Sequence, residues 1–339
     1  MSLPLVLGVD GGNSKTDVWL VAADGTIRGT ARGGTASHQQ VGLARGAETL
    51  RELATAAARA AGLPAAAGRP KATQPIATEG AFCLAGVDFA SDVRSLRRAI
   101  DGLGIVRSAT VLNDAFAGLR AGASRPWGVA LVCGHGINAA AIGPDGRSAR
   151  FDGVGDISGD WGGGTSVGYA ALAAAVRGRD GRGPRTSLER LVPAFFGLRS
   201  PAALVRRLYA EPGLQDQIDR LAPLSFEAAA AGDAVARGIV DRLADELVTM
   251  ATALIRRLRL AREDVEVVLT GGVFGTTDAG FYARLERGVR EVAPRARLVR
   301  LTVPPVAGAV LLALDRLETD SNTRAAAEQR LRDAAARAS

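Results

Sequence analysis

Apolar runs and glycine-rich polar turns alternate at the start of the chain. The run Leu5–Val9 ends at Asp10–Gly11–Gly12, and the run Val18–Val21 leads into Ala23–Asp24–Gly25–Thr26. An Asp-Gly pair between two apolar stretches is a strong signal for a β-hairpin. The pattern therefore predicts two antiparallel strands and a third strand from Thr26.

The rest of the first half alternates between helical and strand patterns. Apolar residues at helical spacing predict a helix over 43–61, with Gly62 at its C-cap. Further patterns predict a strand at about 80–87, a helix at about 91–103, a strand at 108–112 and a helix from Asp114. This order indicates the α/β class.

The second half begins with the same order of elements. A predicted strand over 128–133 ends at a glycine turn, and a strand over 138–142 meets an Asp-Gly turn at Asp145–Gly146. The recurrence predicts an internal duplication. Residues 165–260 are mostly helical in pattern, and a strand over 265–269 precedes a helix from Asp278.

Length and composition narrow the class of protein. The 339 residues suggest about two domains, and 47% hydrophobic with 23% charged residues excludes a disordered chain. No apolar run reaches the roughly 20 residues that span a bilayer, and Met1–Pro4 does not resemble a secretory signal. Cys83 and Cys133 are too few for a disulfide framework or a four-ligand zinc site. We expect a cytoplasmic protein without a membrane partner.

The net charge of +7 raises the question of nucleic-acid binding. The arginines are scattered among acidic residues, and aromatic residues make up only 4% of the chain, so the usual markers of nucleic-acid binding are missing. We expect no nucleic-acid partner. Lys15 and Lys71 are the two lysines among 42 basic residues, and Lys15 lies in the first glycine-rich turn.

Four polar, glycine-rich turns follow predicted strands. Glycine in such a turn lets backbone amides approach phosphate oxygens. The first turn is not a Walker A loop, because Ser14 and Val9 stand where that motif needs glycine. It can still bind phosphates, with Asp10 reaching Mg²⁺ through water. The alternative is that Asp10 only forms the turn and that Lys15 is only solvated. The turns lie at 10–16, 113–114, 134–138 and 270–273.

Six motifs together resemble the BadF/BadG-type ATPase family, in its N-acetylglucosamine kinase-like branch of the actin/hexokinase/Hsp70 superfamily. The resemblance covers residues 5–316. The motifs are DGGNSKT (10–16), FCLAGVD (82–88), LNDAFAGLRAG (112–122), CGHGIN (133–138), GDWGGG (159–164) and TGGV (270–273).

The resemblance implies an α/β fold of duplicated ribonuclease H-like (actin-like ATPase) domains with a cleft between two lobes. We expect an N-terminal lobe at 1–123 and a C-terminal lobe with a mainly helical insertion at 124–318. The Ala/Arg-rich tail at 319–339 has little to bury, which predicts a frayed helix or disorder.

The resemblance also implies ATP and Mg²⁺ as cofactors and a set of site residues. Asp114 would be the catalytic base that accepts the proton of the sugar hydroxyl, and Asp10 would hold Mg²⁺. The phosphate-binding residues would be Gly11, Gly12, Asn13, Ser14, Lys15, Thr16, Gly134, His135 and Gly136. Gly271 and Gly272 would lie against adenosine, and the sugar would contact Thr35, Ser37, Asn113, Asn138 and Asp160.

Four departures from the family pattern bear on the acceptor. His135, Ile137 and Trp161 stand where the family has threonine, serine and glutamate, and the loop 33–38 lacks the usual asparagine. Trp161 could stack on a sugar or pack inside the protein. The acceptor is therefore open between N-acetylglucosamine, glucosamine and another amino sugar.

We expect a homodimeric ATP-dependent kinase that phosphorylates an amino sugar, at its C6 hydroxyl. One alternative is an ATPase activator that shares an iron–sulfur cluster between subunits through two cysteines from each. Cys83 and Cys133 look instead like small core residues. The other alternative is a regulatory actin-like protein, which would not need an acceptor site.

Overall fold

The computed structural model describes residues 3–63, 75–318 and 320–337. Within them the first sheet has the strand order β3-β2-β1-β4-β5. The Asp-Gly hairpin and the third strand are confirmed. The strands are β1 (Leu5–Gly11), β2 (Thr16–Ala22), β3 (Ile27–Gly33), β4 (Ala77–Leu84) and β5 (Val106–Asn113).

The second sheet has the order β8-β7-β6-β9-β10, which repeats the strand order of the first. The predicted internal duplication is therefore visible in the topology. The strands are β6 (Gly128–Cys133), β7 (Ile137–Ile142), β8 (Ser148–Arg150), β9 (Glu266–Thr270) and β10 (Arg297–Arg300).

The helices predicted over 43–61, at about 91–103, from Asp114 and from Asp278 are confirmed, whereas the helices at 38–41 and 305–314 were not predicted. None of the described helices is long and apolar enough to cross a membrane. They are α1 (His38–Val41), α2 (Leu43–Ala60), α3 (Ala90–Leu103), α4 (Ala115–Gly122), α5 (Gly163–Asp180), α6 (Leu188–Phe195), α7 (Pro201–Ala210), α8 (Ala222–Ala230), α9 (Ala234–Arg257), α10 (Ala279–Val292), α11 (Pro305–Leu314) and α12 (Ser321–Arg337). Short 3-10 turns cover Gly155–Ser158, Pro212–Leu221 and Gly272–Gly275.

The first sheet is buried on both faces, because successive side chains of a strand point to opposite sides. One face packs against α2 and α3, and the other against α11 and α12. Leu7, Val9, Val18 and Leu20 belong to the first core, and Val6, Trp19 and Val21 to the second.

The strand directions bring the ends of several strands to one edge of this sheet. β1 runs antiparallel to β2 and parallel to β4, and β4 runs parallel to β5. Asp10 pairs in register with Cys83, and Leu84 pairs with Asn113. The carboxyl ends of β1 and β5 therefore lie at the same edge, where ligands bind in many α/β sheets.

The chain divides into two compact units whose bounds differ from the predicted lobes. The first contains the chain up to Ala130, Ala140–Gly146 and the chain from Val299, and the second contains Leu131–Ala139 and Arg147–Leu298. Residues 299–318 were expected in the second lobe. They belong to the first because α11 packs directly on β1, where a Cβ on Gly8 would come within 2.4 Å of Val310.

The prediction of a frayed or disordered tail is wrong for 321–337, which form α12. Ala327, Leu331 and Ala335 recur every four residues and are buried. The small alanine lets the helix approach closely, so that a Cβ on Gly25 would lie 2.1 Å from the carbonyl oxygen of Ala327. Little apolar surface is needed for packing when the two backbones come this close.

Candidate active site

Two carboxyl groups stand at the ligand-side edge of the first sheet. Asp10 lies in β1 and Asp114 follows β5, so one strand separates them and their backbones are about 10 Å apart. Burial, with the charges of Asp114 and Asp17, raises the pKa of Asp10 to about 7. Burial and the charge of Asp88 raise the pKa of Asp114 to about 6. Both groups therefore titrate near neutrality, which is common at functional sites.

Asp114 occupies the N-cap position of α4, but its side chain makes no capping hydrogen bond. Asn113 Oδ1 accepts from the amide of Ala115 at 3.1 Å. The Asp114 carboxylate has backbone hydrogen bonds from Ala115 and from Asp114 itself, which lower its pKa less than burial raises it. This geometry argues against a purely structural role for Asp114.

The loop between β1 and β2 is exposed at its tip and anchored at its base. Asn13, Ser14 and Lys15 are exposed, and the amide of Gly12 donates to the carbonyl of Lys15 at 2.9 Å. Thr16 is buried and its Oγ1 accepts from the amide of Ala36 at 2.9 Å. The hydroxyl of Thr16 thus holds the neighbouring loop 33–38.

Lys15 is held over a buried carboxylate. Its Nζ donates to Oδ2 of Asp17 at 2.9 Å, and Asp17 also accepts from Nε of Arg32. Asp17 is only 4% exposed, and a buried carboxylate is costly unless its charge is paired. Lys15 and Arg32 together compensate this negative charge. The ammonium group is thereby fixed beside the glycine-rich loop.

The loop 33–38 joins the first glycine-rich loop and carries two buried polar atoms without a partner. Thr35 Oγ1 donates to the carbonyl of Gly12 at 2.8 Å. The unpartnered atoms are Oγ of Ser37 and Nδ1 of His38. An unsatisfied buried polar atom costs about 1–3 kcal/mol, so this loop has hydrogen-bonding capacity that the protein itself does not use.

Hydrogen bonds among Gln39, Asp88 and Asn113 link the segment after this loop to the residue before Asp114. Gln39 Nε2 donates to Oδ2 of Asp88 at 2.9 Å, and Asn113 Nδ2 donates to Oδ1 of Asp88 at 3.4 Å. The side chain of Asn113 is buried and positions its neighbours. Asp88, Gln39 and His38 were not among the predicted site residues, although Asp88 ends one of the recognised motifs.

The second unit carries the other predicted residues. Gly134 and Gly136 close a tight turn, in which the amide of Gly134 donates to the carbonyl of Gly136 at 3.0 Å. Gly271 approaches the strand before this turn, since a Cβ there would lie 2.4 Å from the carbonyl oxygen of Cys133. Its φ of +109° is a second reason for glycine. Gly272 is exposed and begins the next 3-10 turn.

The predicted sugar-binding residues of the second unit make local contacts. Asn138 Oδ1 accepts from the amide of Ala139 at 2.7 Å, and its Nδ2 lies against Gly153. Asp160 accepts from the hydroxyl of Ser158. The ring of Trp161 stacks against the guanidinium group of Arg242, whose Cζ is 3.9 Å from the ring centroid. One ring face therefore serves an internal contact.

Both cysteines are core residues. Cys83 and Cys133 are fully buried, and burial raises the pKa of Cys133 to about 12 and that of Cys83 well above its ordinary value. A thiolate is the form that ligates metal, and these thiols are held protonated. Their burial does not favour the cluster-bearing alternative.

A family model described as the BadF/BadG/BcrA/BcrD ATPase family matches residues 7–313. The chain belongs to this family. The family resemblance that the six motifs predicted is thereby confirmed.

Two relatives and one solved structure resemble this family member along almost their whole length. An N-acetyl-D-glucosamine kinase of Dictyostelium discoideum is 29% identical, over 93% of this chain and 99% of the relative. An N-acetylmuramic acid/N-acetylglucosamine kinase of Clostridium acetobutylicum is 27% identical, over 91% and 97%. A candidate N-acetylglucosamine kinase of Chromobacterium violaceum is 26% identical and superposes with a TM-score of 0.68, over 92% of this chain and 100% of that one. With the repeated strand order, these likenesses confirm the actin-like ATPase fold.

Proposed function

We propose that this protein transfers the γ-phosphoryl group of ATP to the C6 hydroxyl of an amino sugar, N-acetylglucosamine or glucosamine. The observation that carries the proposal is Asp114, a carboxylate with a pKa of about 6 and no capping role beside a glycine-rich loop. The sequence identity of 27–29% with two kinases that act on N-acetylglucosamine, over more than nine-tenths of the chain, supports this substrate class.

Asp114 acts as general base in this proposal. It accepts the proton of the attacking hydroxyl, and a pKa near the working pH suits both uptake and release of that proton. Such assistance contributes roughly 10²–10⁴-fold in rate. Asn113 and Asp88 fix the position of Asp114, because Asn113 holds both the start of α4 and the Asp88 carboxylate.

The first loop binds phosphate oxygens. The exposed tip at 13–15 offers backbone amides and the ammonium group of Lys15, which Asp17 orients. Gly134 and Gly136 offer a second open turn, since a Cβ at either position would meet no atom within 4 Å. Thr16 acts indirectly, by holding the loop 33–38 in place.

The residues around Asp10 fit a magnesium ion that is shared with phosphate. The ion usually binds proteins through one or two carboxylates and keeps several waters. Mg²⁺, when bound, neutralises phosphate charge. Asp10 supplies the carboxylate, and its crowding by Asp114 and Asp17 makes a nearby cation favourable.

The loop 33–38 recognises the acceptor. Ser37 Oγ and His38 Nδ1 provide unused hydrogen-bonding atoms, and a sugar provides hydroxyl and amide partners. Asn138 and Asp160, in the second unit, stay proposed as sugar-binding residues. The amide group of N-acetylglucosamine and the ammonium group of glucosamine differ in charge, so their comparison probes this loop directly.

A coupled ADP-release assay over N-acetylglucosamine, glucosamine, N-acetylmannosamine and glucose tests the proposal, with NMR of the product to locate the phosphate. We expect sugar-dependent ADP release and a 6-phosphate. Asp101→Asn, an exposed substitution on α3, is the matched control for Asp114→Asn. ATP hydrolysis that no sugar stimulates would favour the regulatory alternative and overturn the proposal.

A further inference from the structure

Three polar side chains form a row beside the turn Gly134–Gly136. Nδ1 of His135 lies 3.2 Å from Oδ2 of Asp219, and Nε2 of His135 lies 3.1 Å from Oγ1 of Thr165. A carboxylate only accepts hydrogen bonds, so Nδ1 donates to Asp219 and Nε2 is the atom that meets the hydroxyl. The imidazole therefore fixes the direction of the Thr165 side chain.

The backbone holds Thr165 against the same turn. The amide of Gly164 donates to the carbonyl of Gly134 at 2.8 Å, and the amide of Thr165 donates to the carbonyl of His135 at 3.0 Å. A Cβ on Gly163 would come within 2.5 Å of the Gly136 backbone. The turn and the start of α5 are thus one tightly packed piece.

Asp219 reaches His135 because its segment lies directly on α5. A Cβ on Gly168 would be 1.9 Å from the carbonyl oxygen of Ile218, so only glycine permits this approach. The 3-10 segment Pro212–Leu221 thereby places Asp219 beside the turn, although Asp219 follows His135 by 84 residues in the chain. None of the recognised motifs includes this segment.

The row contributes little to folding. The side chain of His135 is 62% exposed, and an exposed pair of this kind contributes only about 0–1 kcal/mol. These two contacts orient the side chain but leave it open to a ligand bound at the turn. The turn beside them is the second phosphate loop of the proposed kinase.

We propose that Thr165 is an additional phosphate-binding residue of this loop, with His135 and Asp219 as the positioning residues that orient its hydroxyl. Nε2 holds the Thr165 side chain in this rotamer, and when the nucleotide binds, the single hydroxyl proton turns from Nε2 to a phosphate oxygen. The inference rests on the proposed function, because it takes the nucleotide as the ligand of this turn.

Calorimetric binding of MgATP, in parallel with steady-state kinetics, tests the role of Thr165. Thr165→Val keeps the shape of the side chain and removes the hydroxyl. We expect it to raise the Kd and the KM for MgATP about 10- to 100-fold, as for loss of one hydrogen bond to a charged group, while the sugar KM stays within about 2-fold. Thr165→Ser should restore binding to within about 3-fold.

Asp219→Asn tests the positioning role. It should weaken MgATP binding in the same direction and by less, about 3- to 10-fold, because the hydroxyl stays and loses only its orientation. Asp216→Asn, an exposed change on the same 3-10 segment, is the control and should leave the Kd unchanged.

Three results would overturn the inference: wild-type MgATP affinity in Thr165→Val, failure of Thr165→Ser to restore binding, or an equal loss in sugar KM. The binding measurement needs no turnover. A protein that binds MgATP but phosphorylates no sugar would therefore refute the proposed function and leave this inference to be decided by the variants.

Discussion

Arg120 and Glu328 form two hydrogen bonds of 2.7 Å each, although 208 residues separate them in the chain. Arg120 also donates to Asp315 and is almost fully buried on α4, the helix that begins beside Asp114. Arg332 of α12 donates to the carbonyls of Ala121 and Ala123 at the other end of α4. The last helix therefore holds the helix that follows the proposed base.

Removal of the Glu328 charge should destabilise the protein. Glu328→Gln leaves Arg120 with one carboxylate instead of two, and we expect the free energy of unfolding to fall by about 1–3 kcal/mol at pH 7. Urea unfolding followed by circular dichroism measures this change. Asp333→Asn lies on the exposed side of the same helix and should change stability by less than about 0.5 kcal/mol. Equal effects of the two substitutions would show that the contact between Arg120 and Glu328 does not stabilise the fold.

The charge of Asp114 should cost stability while it serves catalysis. Its pKa is raised from 3.8 to about 6, so the folded protein binds the proton more tightly than the unfolded chain does. The resulting stability is fully present below pH 3.8 and is lost as the pH rises through about 6. Asp114→Asn should therefore raise the free energy of unfolding at pH 8 by about 1–3 kcal/mol and leave it nearly unchanged at pH 4. Loss of stability at pH 8 would show that the carboxylate has a structural role.

The pH profile of the reaction should report the two raised carboxyl groups. Asp114 must be ionised to accept a proton, so kcat/KM for the sugar should fall tenfold per pH unit below about pH 6. Asp10, with a pKa of about 7 before Mg²⁺ binds, should make the fall steeper when Mg²⁺ is limiting. Steady-state rates between pH 5 and 9, at two Mg²⁺ concentrations, check this profile. A rate that stays constant down to pH 5 would not fit a base with this pKa.

Gly163 offers a test of the contact between α5 and the second turn. Its φ is +73°, and a Cβ would strike the Gly136 backbone, so Gly163→Ala should displace the turn. Gly181, at the other end of α5, has a φ of +84° and open space around it. Alanine at position 181 therefore carries only the backbone strain of about 1–2 kcal/mol. Gly163→Ala should weaken MgATP binding at least about 10-fold and Gly181→Ala should not. Equal MgATP binding by the two variants would show that the close packing of Gly163 on Gly136 does not matter for the nucleotide.

Local signals predicted much of the fold and part of the site. The Asp-Gly turn and the alternation of apolar residues fix the first hairpin, because both act over a few neighbouring residues. Asp10 was predicted from its place in a glycine-rich turn, and Asp114 from the resemblance to the family. Thr16 and Asn113 were also expected at the ligand, yet their side chains hold neighbouring segments.

The parts that the sequence did not predict depend on contacts between distant segments. Gln39 meets Asp88 across 49 residues and Asp219 meets His135 across 84, and no local pattern announces such pairs. The tail was misjudged because close backbone approach, rather than large apolar side chains, packs α12. The predicted cleft, the homodimer and the roles of the site residues remain predictions.

We propose that Asp114 is the base for phosphoryl transfer to an amino sugar. The most direct test compares wild type, Asp114→Asn and Asp101→Asn for sugar 6-phosphate formation, with MgATP binding and folding measured on the same samples. The account predicts that Asp114→Asn binds MgATP and stays folded while kcat falls about 10²–10⁴-fold, and that Asp101→Asn behaves as wild type. Near-normal turnover by Asp114→Asn would contradict it.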